Sequence, residues 1–310
     1  MGKLAYVFPG QGSQYVGMGR ALYEKSPEAR AVFEAADAAL GEKLSRLIFE
    51  GPEEELKLTR NTQPAILTVS VAMHAALAAR SKERPDLLAG HSLGEYSALV
   101  VAGALELSEA VRAVRQRGAF MQEAVPAGAG AMAAVVRLDP ETVRAGCVEV
   151  AQGQVCAPAN YNSPDQTVIA GHAEAVERAR AKLSMAAPRA RVLSLPVSAP
   201  FHCSLMEPVA PRMRAVLQGL RLSALAVPVV SNVEAAANAD PARVVELLVA
   251  QVTSPVRWVE SVKALVAAGV TRVVEVGPGK VLTGLVKQID KGLEVSALDE
   301  PEALAKLLLG

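Results

Sequence analysis

The chain has almost no charge imbalance, few cysteines and few histidines, and each shortage closes off a class of function. Its 32 basic and 32 acidic residues cancel, and no block of five or more like charges occurs. A dedicated nucleic-acid binder carries a basic surplus, so that role is not expected, and neither is attraction to an anionic membrane surface. Three cysteines, Cys147, Cys156 and Cys203, are an odd number with no CxxC spacing. They form neither a disulfide framework nor a zinc site, which fits a reducing compartment. No apolar run approaches the ~18 residues of a membrane span; the longest lies around residues 98–105. The N-terminal string MGKLAYVFPGQGSQ has no signal-peptide pattern. A cytoplasmic protein without a membrane partner is expected. Internal repeats and low-complexity tracts are absent too.

What is present is ample apolar material: 51% of 310 residues are hydrophobic, enough for a sizeable core. Short apolar runs at residues 4–8, 87–89, 228–231 and 272–276 alternate with helical periods at 27–40, 62–80, 108–123, 204–218 and 258–268. Ser26-Pro27-Glu28 opens one of these helices with a capping hydroxyl, a first-turn proline and a carboxylate. The alternation predicts an α/β fold, a parallel sheet covered by helices on both faces. Between about residues 128 and 196 the rhythm changes. Strand 131–137, helix 140–150, strands 155–161 and 167–170, helix 173–185 and strand 190–195 give the order βαββαβ of a ferredoxin-like unit. A small subdomain over 128–197 is therefore expected, inserted into a large α/β domain made of 1–127 and 198–310.

One motif carries chemistry. Leu87-Leu88-Ala89 runs into Gly90-His91-Ser92-Leu93-Gly94, and a helical stretch follows from Glu95. This is the GxSxG nucleophile elbow in its strand–turn–helix setting. The glycines allow close backbone approach, the turn exposes the Ser92 hydroxyl, and the Leu93 N–H at the helix start faces the oxygen of an attacked carbonyl. A structural glycine turn is the alternative. The serine needs a base, and there are four histidines. His91 adjoins Ser92 and points to the other face, where it buttresses the elbow. His74 sits in a helical period as a packed or surface residue. His172 lies in a Gly-His-Ala turn and is expected to be solvated. Elimination leaves His202. Asp139 and Asp165 could complete a Ser…Asp…His order, but they read better as a helix cap and a turn residue. Otherwise a backbone carbonyl orients the imidazole and the site is a dyad. Arg117 borders the apolar stripe Val111, Val114, Gly118 and Met121; its fork seeks a carboxylate or phosphate unless the side chain snorkels to the surface.

Eight strings then point to a family: FPGQGSQYVGMG (8–19), NTQPA (61–65), AGHSLGEYSAL (89–99), RQRGAFMQ (115–122), NYNSPDQTVIAG (160–171), APFHCSLM (199–206), QVTSPVRW (251–258) and EVGPGKVLTGL (275–285). In these the sequence resembles the malonyl-CoA:acyl-carrier-protein transacylases of bacterial fatty-acid synthesis over nearly its whole length. The resemblance implies an α/β-hydrolase-like large domain with the ferredoxin-like insert, and a site between them. It implies Ser92 as acylated nucleophile, His202 as general base and acid, and the Gln251 backbone carbonyl holding His202. Gln11 would share an oxyanion hole with Leu93, and Arg117 would grip the malonyl carboxylate. Asn160, Asn162, His91, Met121 and Gln63 are then expected along the substrate pocket, the two asparagines alternatively being turn amides. Phe201 leaves little room for an α-methyl group. Malonyl-CoA and acyl carrier protein are the implied partners, and no cofactor is required, since CoA is substrate and phosphopantetheine is carried by the partner.

Two other functions share parts of this pattern. A serine esterase or thioesterase has the same elbow and base, and a carrier-protein docking domain would need neither. Arg117 and Gln251 in the family's positions favour transfer.

Overall fold

The computed structural model describes residues 2–197 and 199–299. The expected domain ranges also take in residues 1, 198 and 300–310, which lie outside the described residues. Among the described residues ten strands form two sheets: β1 Lys3–Phe8, β2 Leu87–Gly90, β3 Gly130–Val136, β4 Cys156–Ser163, β5 Gln166–His172, β6 Arg191–Ser194, β7 Val229–Val230, β8 Ala237–Asn238, β9 Val270–Val276 and β10 Glu294–Leu298.

The larger sheet has the order β10-β9-β1-β2-β7-β8, and only its edge pair β7–β8 is antiparallel. Strand β1 shows why it must lie in the middle. Leu4, Tyr6 and Phe8 pack into one apolar cluster with the helices Thr59–Arg80 and Leu93–Val101. Ala5 and Val7 point the other way, into a cluster with Trp258, Val262 and Leu265 of helix Trp258–Ala267. A strand with apolar residues on both faces is stable only where both faces are covered.

Helix Thr59–Arg80 begins three residues before its expected start, because Asn61 and Thr62 N–H already donate to Leu58 O at 2.7 and 2.8 Å. It is long and apolar enough to cross a membrane by composition, yet 78% of that apolar window is buried within the fold. It is a core helix. The stretch 204–218 is not one helix. A single turn Ser204–Met206 precedes helix Val209–Gln218, and Pro208, which has no N–H to donate, stands between them.

The second sheet, β4-β5-β3-β6, is wholly antiparallel and drawn from residues between 130 and 194. Helices Pro140–Val150 and Ala173–Ser184 cover one face through Val143, Cys147, Val176 and Leu183. Asp139 caps the first of these, accepting from Thr142 N–H at 2.9 Å. His172 is not solvated as expected. It ends β5 half-buried, and its Nδ1 accepts from Val155 N–H at 2.9 Å, fixing the approach to β4. Strand β4 ties this sheet to the larger body: Val256 N–H donates to Ala159 O and Tyr161 N–H to Val256 O, each at 2.9 Å.

Candidate active site

Strand β2 and the helix Leu93–Val101 meet at Ser92, whose backbone adopts φ 51°, ψ −104°. A non-glycine residue there is strained by about 1–3 kcal/mol, so neighbours must hold it. Gly90 and Gly94 make the turn possible. A Cβ on Gly90 would lie 1.9 Å from the Gly94 backbone, and one on Gly94 would lie 2.0 Å from Phe8 O.

The clamp on this turn comes from Asn232, two residues beyond β7. Its Oδ1 accepts from Ser92 N–H and its Nδ2 donates to Gly90 O, both at 2.6 Å. Nothing local in the sequence marks Asn232; its position just past the carboxyl end of a sheet strand was the only available signal.

His202 Nε2 lies 2.7 Å from Ser92 Oγ, and its Nδ1 lies 2.9 Å from Gln251 O. A carbonyl oxygen can only accept, so Nδ1 carries the proton and Nε2 is free to accept from the serine. Burial first, and the Arg117 guanidinium second, push the imidazole down to about 3, so it is neutral and ready as a base. Asp139 is committed to its helix cap, and Asp165 accepts from Ser163 Oγ at 2.9 Å in the β4–β5 turn. Neither approaches His202. The orienting partner is the backbone carbonyl.

Arg117 does not snorkel. It sits on helix Leu107–Glu123 only 1% exposed. Its Nη1 donates to Gln63 Oε1 at 2.9 Å, and its Nη2 donates to Gln251 Oε1 at 2.8 Å and Ser92 Oγ at 3.2 Å. Its Nε has no hydrogen-bond partner among the described residues. All these acceptors are neutral, so the guanidinium faces the site with spare donors and no carboxylate paired to it.

These groups line a small cavity of about 100 Å³. Gln11, Gln63, His91, Leu93, Met121, Asn160 and Phe201 line it with Ser92, His202 and Arg117. Gln63 Nε2 donates to Met121 Sδ at 3.8 Å, which ties two lining residues together. Met132, Leu195 and Val197 complete the apolar wall and carried no signal in the sequence. A second cavity of about 310 Å³ shares Gln11, His91, Asn160 and Leu195, and runs past Asn162 to Val281 and Leu285.

Gln251, expected to hold His202, lies in the wall, and Asn162, expected along the pocket, lines the second cavity and not the first. Gln251 is fully buried behind His202 and Arg117. Asn162 Oδ1 accepts from His91 Nε2 at 2.8 Å, while the His91 ring packs 5.7 Å from Trp258. His91 both buttresses the elbow and borders the cavity. Gln11, on the loop after β1, lines the cavity together with Leu93. Gly10 passes so close to the elbow that a Cβ there would lie 2.5 Å from His91 O.

A further carboxylate was not anticipated. Glu95, 3% exposed, accepts from Asn232 N–H at 3.0 Å and Gln251 Nε2 at 2.7 Å. Burial raises its carboxyl to about 7, with the two hydrogen bonds and Arg117 opposing the rise.

Comparison with known proteins gives the family. The acyl transferase domain family matches residues 5–302. The malonyl CoA-acyl carrier protein transacylase of Salmonella typhimurium is 50% identical over 308 residues, 99% of each chain. The acyl carrier protein S-malonyltransferase of Vibrio cholerae superposes with a TM-score of 0.95 at 46% identity, covering 98% of this chain and 99% of that one. A malonyl-transacylase solved in complex with its type II PKS acyl-carrier protein gives 0.96 at 45% identity, covering 99% of each.

Proposed function

The chain belongs to the acyl transferase family, and on that premise we propose that it moves a malonyl group from malonyl-CoA to the phosphopantetheine thiol of acyl carrier protein, supplying fatty-acid synthesis. One observation carries the reading: a single serine oxygen lies 2.7 Å from a neutral imidazole and 3.2 Å from a buried, carboxylate-free guanidinium.

Ser92 gives its proton to His202 Nε2 as its oxygen attacks the thioester carbonyl. The N–H groups of Gln11 and Leu93 receive the developing oxyanion, the latter helped by the helix that starts there. His202 returns the proton to the CoA thiolate as it leaves. The malonyl ester of Ser92 then meets the carrier thiol, and the steps run in reverse. Arg117 holds the distal carboxylate, which separates malonyl from acetyl. Phe201 crowds the α-carbon against branched acyl groups, and Met121 and Gln63 shape the end of the slot. The adjoining cavity, with Asn160 and Asn162 beside it, is where the arm of the thioester lies. The proposed cycle needs no cofactor of the protein's own and suits a cytoplasmic enzyme.

The finer architecture goes with this reading: an α/β-hydrolase-like body, 1–127 and 198–310, with a ferredoxin-like insert, 128–197. The strand order β4-β5-β3-β6 supports the insert, since within βαββαβ it places the first and third strands at the centre.

The test is direct. Incubation with malonyl-CoA is expected to leave one malonyl adduct on Ser92 by mass spectrometry, with sustained CoA release only when holo-carrier protein is added. Sustained release without an acceptor would make the protein a hydrolase instead.

A further inference from the structure

Glu95 takes no part in the cycle above, yet it is buried one amide away from Arg117. The Gln251 side chain spans them, its Oε1 accepting from Arg117 Nη2 at 2.8 Å and its Nε2 donating to Glu95 Oε2 at 2.7 Å. The two charges balance across that amide in the free protein. A substrate carboxylate on Arg117 would upset the balance, leaving two buried anions against one buried cation. Such a surplus charge is costly where water is excluded, and neighbouring carboxylates relieve it by sharing a proton.

The carboxyl of Glu95 is arranged to take that proton. Both of its hydrogen bonds, from Asn232 N–H and Gln251 Nε2, end on Oε2. Oε1 accepts none among the described residues, so it can be protonated without breaking either bond. The groups facing Glu95 offer no rival titration. Arg117 stays cationic, Asn232 and Gln251 are neutral amides, Tyr96 on the same helix is pushed up to about 12, and His202 is held neutral.

We propose that Glu95 is a counter-charge to Arg117: ionised in the free protein, and protonated on Oε1 when an acyl carboxylate occupies Arg117. A dicarboxylic acyl group is then accepted together with a proton from solvent, whereas a neutral acyl group is accepted alone. This rests on the reading of Arg117 as the receptor of the acyl carboxylate. No bond other than O–H is made at Glu95, and the proton returns to solvent when the acyl group leaves.

The experiment is a proton count during single-turnover acylation, in weakly buffered solution with a pH indicator at about pH 8. Each count is divided by the number of acyl-serines found by mass spectrometry. Proton release from the freed CoA thiol is common to both substrates, so the difference between malonyl-CoA and acetyl-CoA isolates the acyl carboxylate. In the parent protein that difference is expected to be an uptake of about half to one proton. It should fade below about pH 6, where Glu95 already holds its proton in the free protein. Glu95→Gln should abolish the difference while still forming the malonyl adduct. Equal counts for the two substrates in the parent protein, or an undiminished difference in Glu95→Gln, would overturn the inference. If Glu95→Gln does not fold, the parent comparison and its pH dependence decide alone. Failure of the underlying reading looks different: no malonyl adduct on Ser92, or an Arg117→Ala variant as selective for malonyl over acetyl as the parent.

Discussion

The Asn232 side chain joins both ends of the nucleophile turn, its Oδ1 and Nδ2 each 2.6 Å from a backbone atom of the segment 90–92. It offsets the strain of a positive-φ serine with two hydrogen bonds, that to Gly90 O buried and that from Ser92 N–H part-buried. Asn232→Ala would leave the Ser92 N–H and the Gly90 C=O without these partners. Each stranded group costs about 1–3 kcal/mol. A stability loss of about 2–5 kcal/mol is expected in urea unfolding. A fall in kcat should accompany it, with little change in KM for malonyl-CoA, because the variant moves the serine and not the acyl pocket. An unchanged kcat would show that the turn holds its shape unaided.

Much of this site is legible in the sequence because the elbow is local. Gly90, Ser92 and Gly94 fall within five residues, and the contacts that demand glycine involve the segment itself and the adjacent strand. His202 emerges because imidazoles are few. Asn232, Glu95 and the Gln251 side chain leave no such trace. They meet through tertiary contacts spanning 137 to 159 residues of chain, and amides and carboxylates at helix and strand ends are common for ordinary reasons. The carbonyl that orients His202 has no residue type at all, and family resemblance alone pointed to Gln251. The same division holds for the fold. β1 is plain because it is apolar on both faces, whereas β10, half-covered at the sheet edge and beginning at Glu294, is not.

Glycine at 94 and glycine at 284 make a controlled pair. A Cβ at 94 would sit 2.0 Å from Phe8 O, a backbone atom of the central strand that cannot yield cheaply. At 284, exposed on helix Val281–Ile289, it would meet nothing within 4 Å. Gly94→Ala is expected to lose about 3 kcal/mol or more, or to fail to fold. Gly284→Ala should gain about 0.5–1 kcal/mol from helix propensity. Thermal unfolding of both variants checks the pair, and similar shifts would contradict the described packing.

Stability should respond to acid with opposing signs from two kinds of buried group. His74 packs edge-on against Tyr6, their centroids 6.2 Å apart, and burial lowers its imidazole from 6.5 to about 4. Between those values the unfolded chain binds a proton that the folded protein does not, so stability falls as pH drops. His202 acts in the same direction. Glu95 is raised from 4.5 to about 7, so between those values the folded protein holds the extra proton and stability rises as pH drops. Replacing one group isolates its share. His74→Gln is expected to reduce the stability difference between about pH 7 and pH 5 by about 2 kcal/mol, read from urea unfolding at each pH. An unchanged difference would mean that the ring is protonated in place.

Arg117 bears on the base as well as on the substrate. After burial, its guanidinium is the strongest influence holding His202 down to about 3. A nearby cation disfavours imidazolium, so removing it must raise the imidazole toward its ordinary range. Arg117→Ala is therefore expected to lose malonyl transfer by orders of magnitude through the missing carboxylate contact, typically worth ~2–5 kcal/mol. Acetyl transfer, which does not use that contact, should suffer less, and its acid limb in kcat/KM should move to higher pH. The same imidazole can be followed directly by NMR titration of its ring protons. An acid limb unmoved in Arg117→Ala would leave the guanidinium with the substrate alone and assign the depressed imidazole to burial.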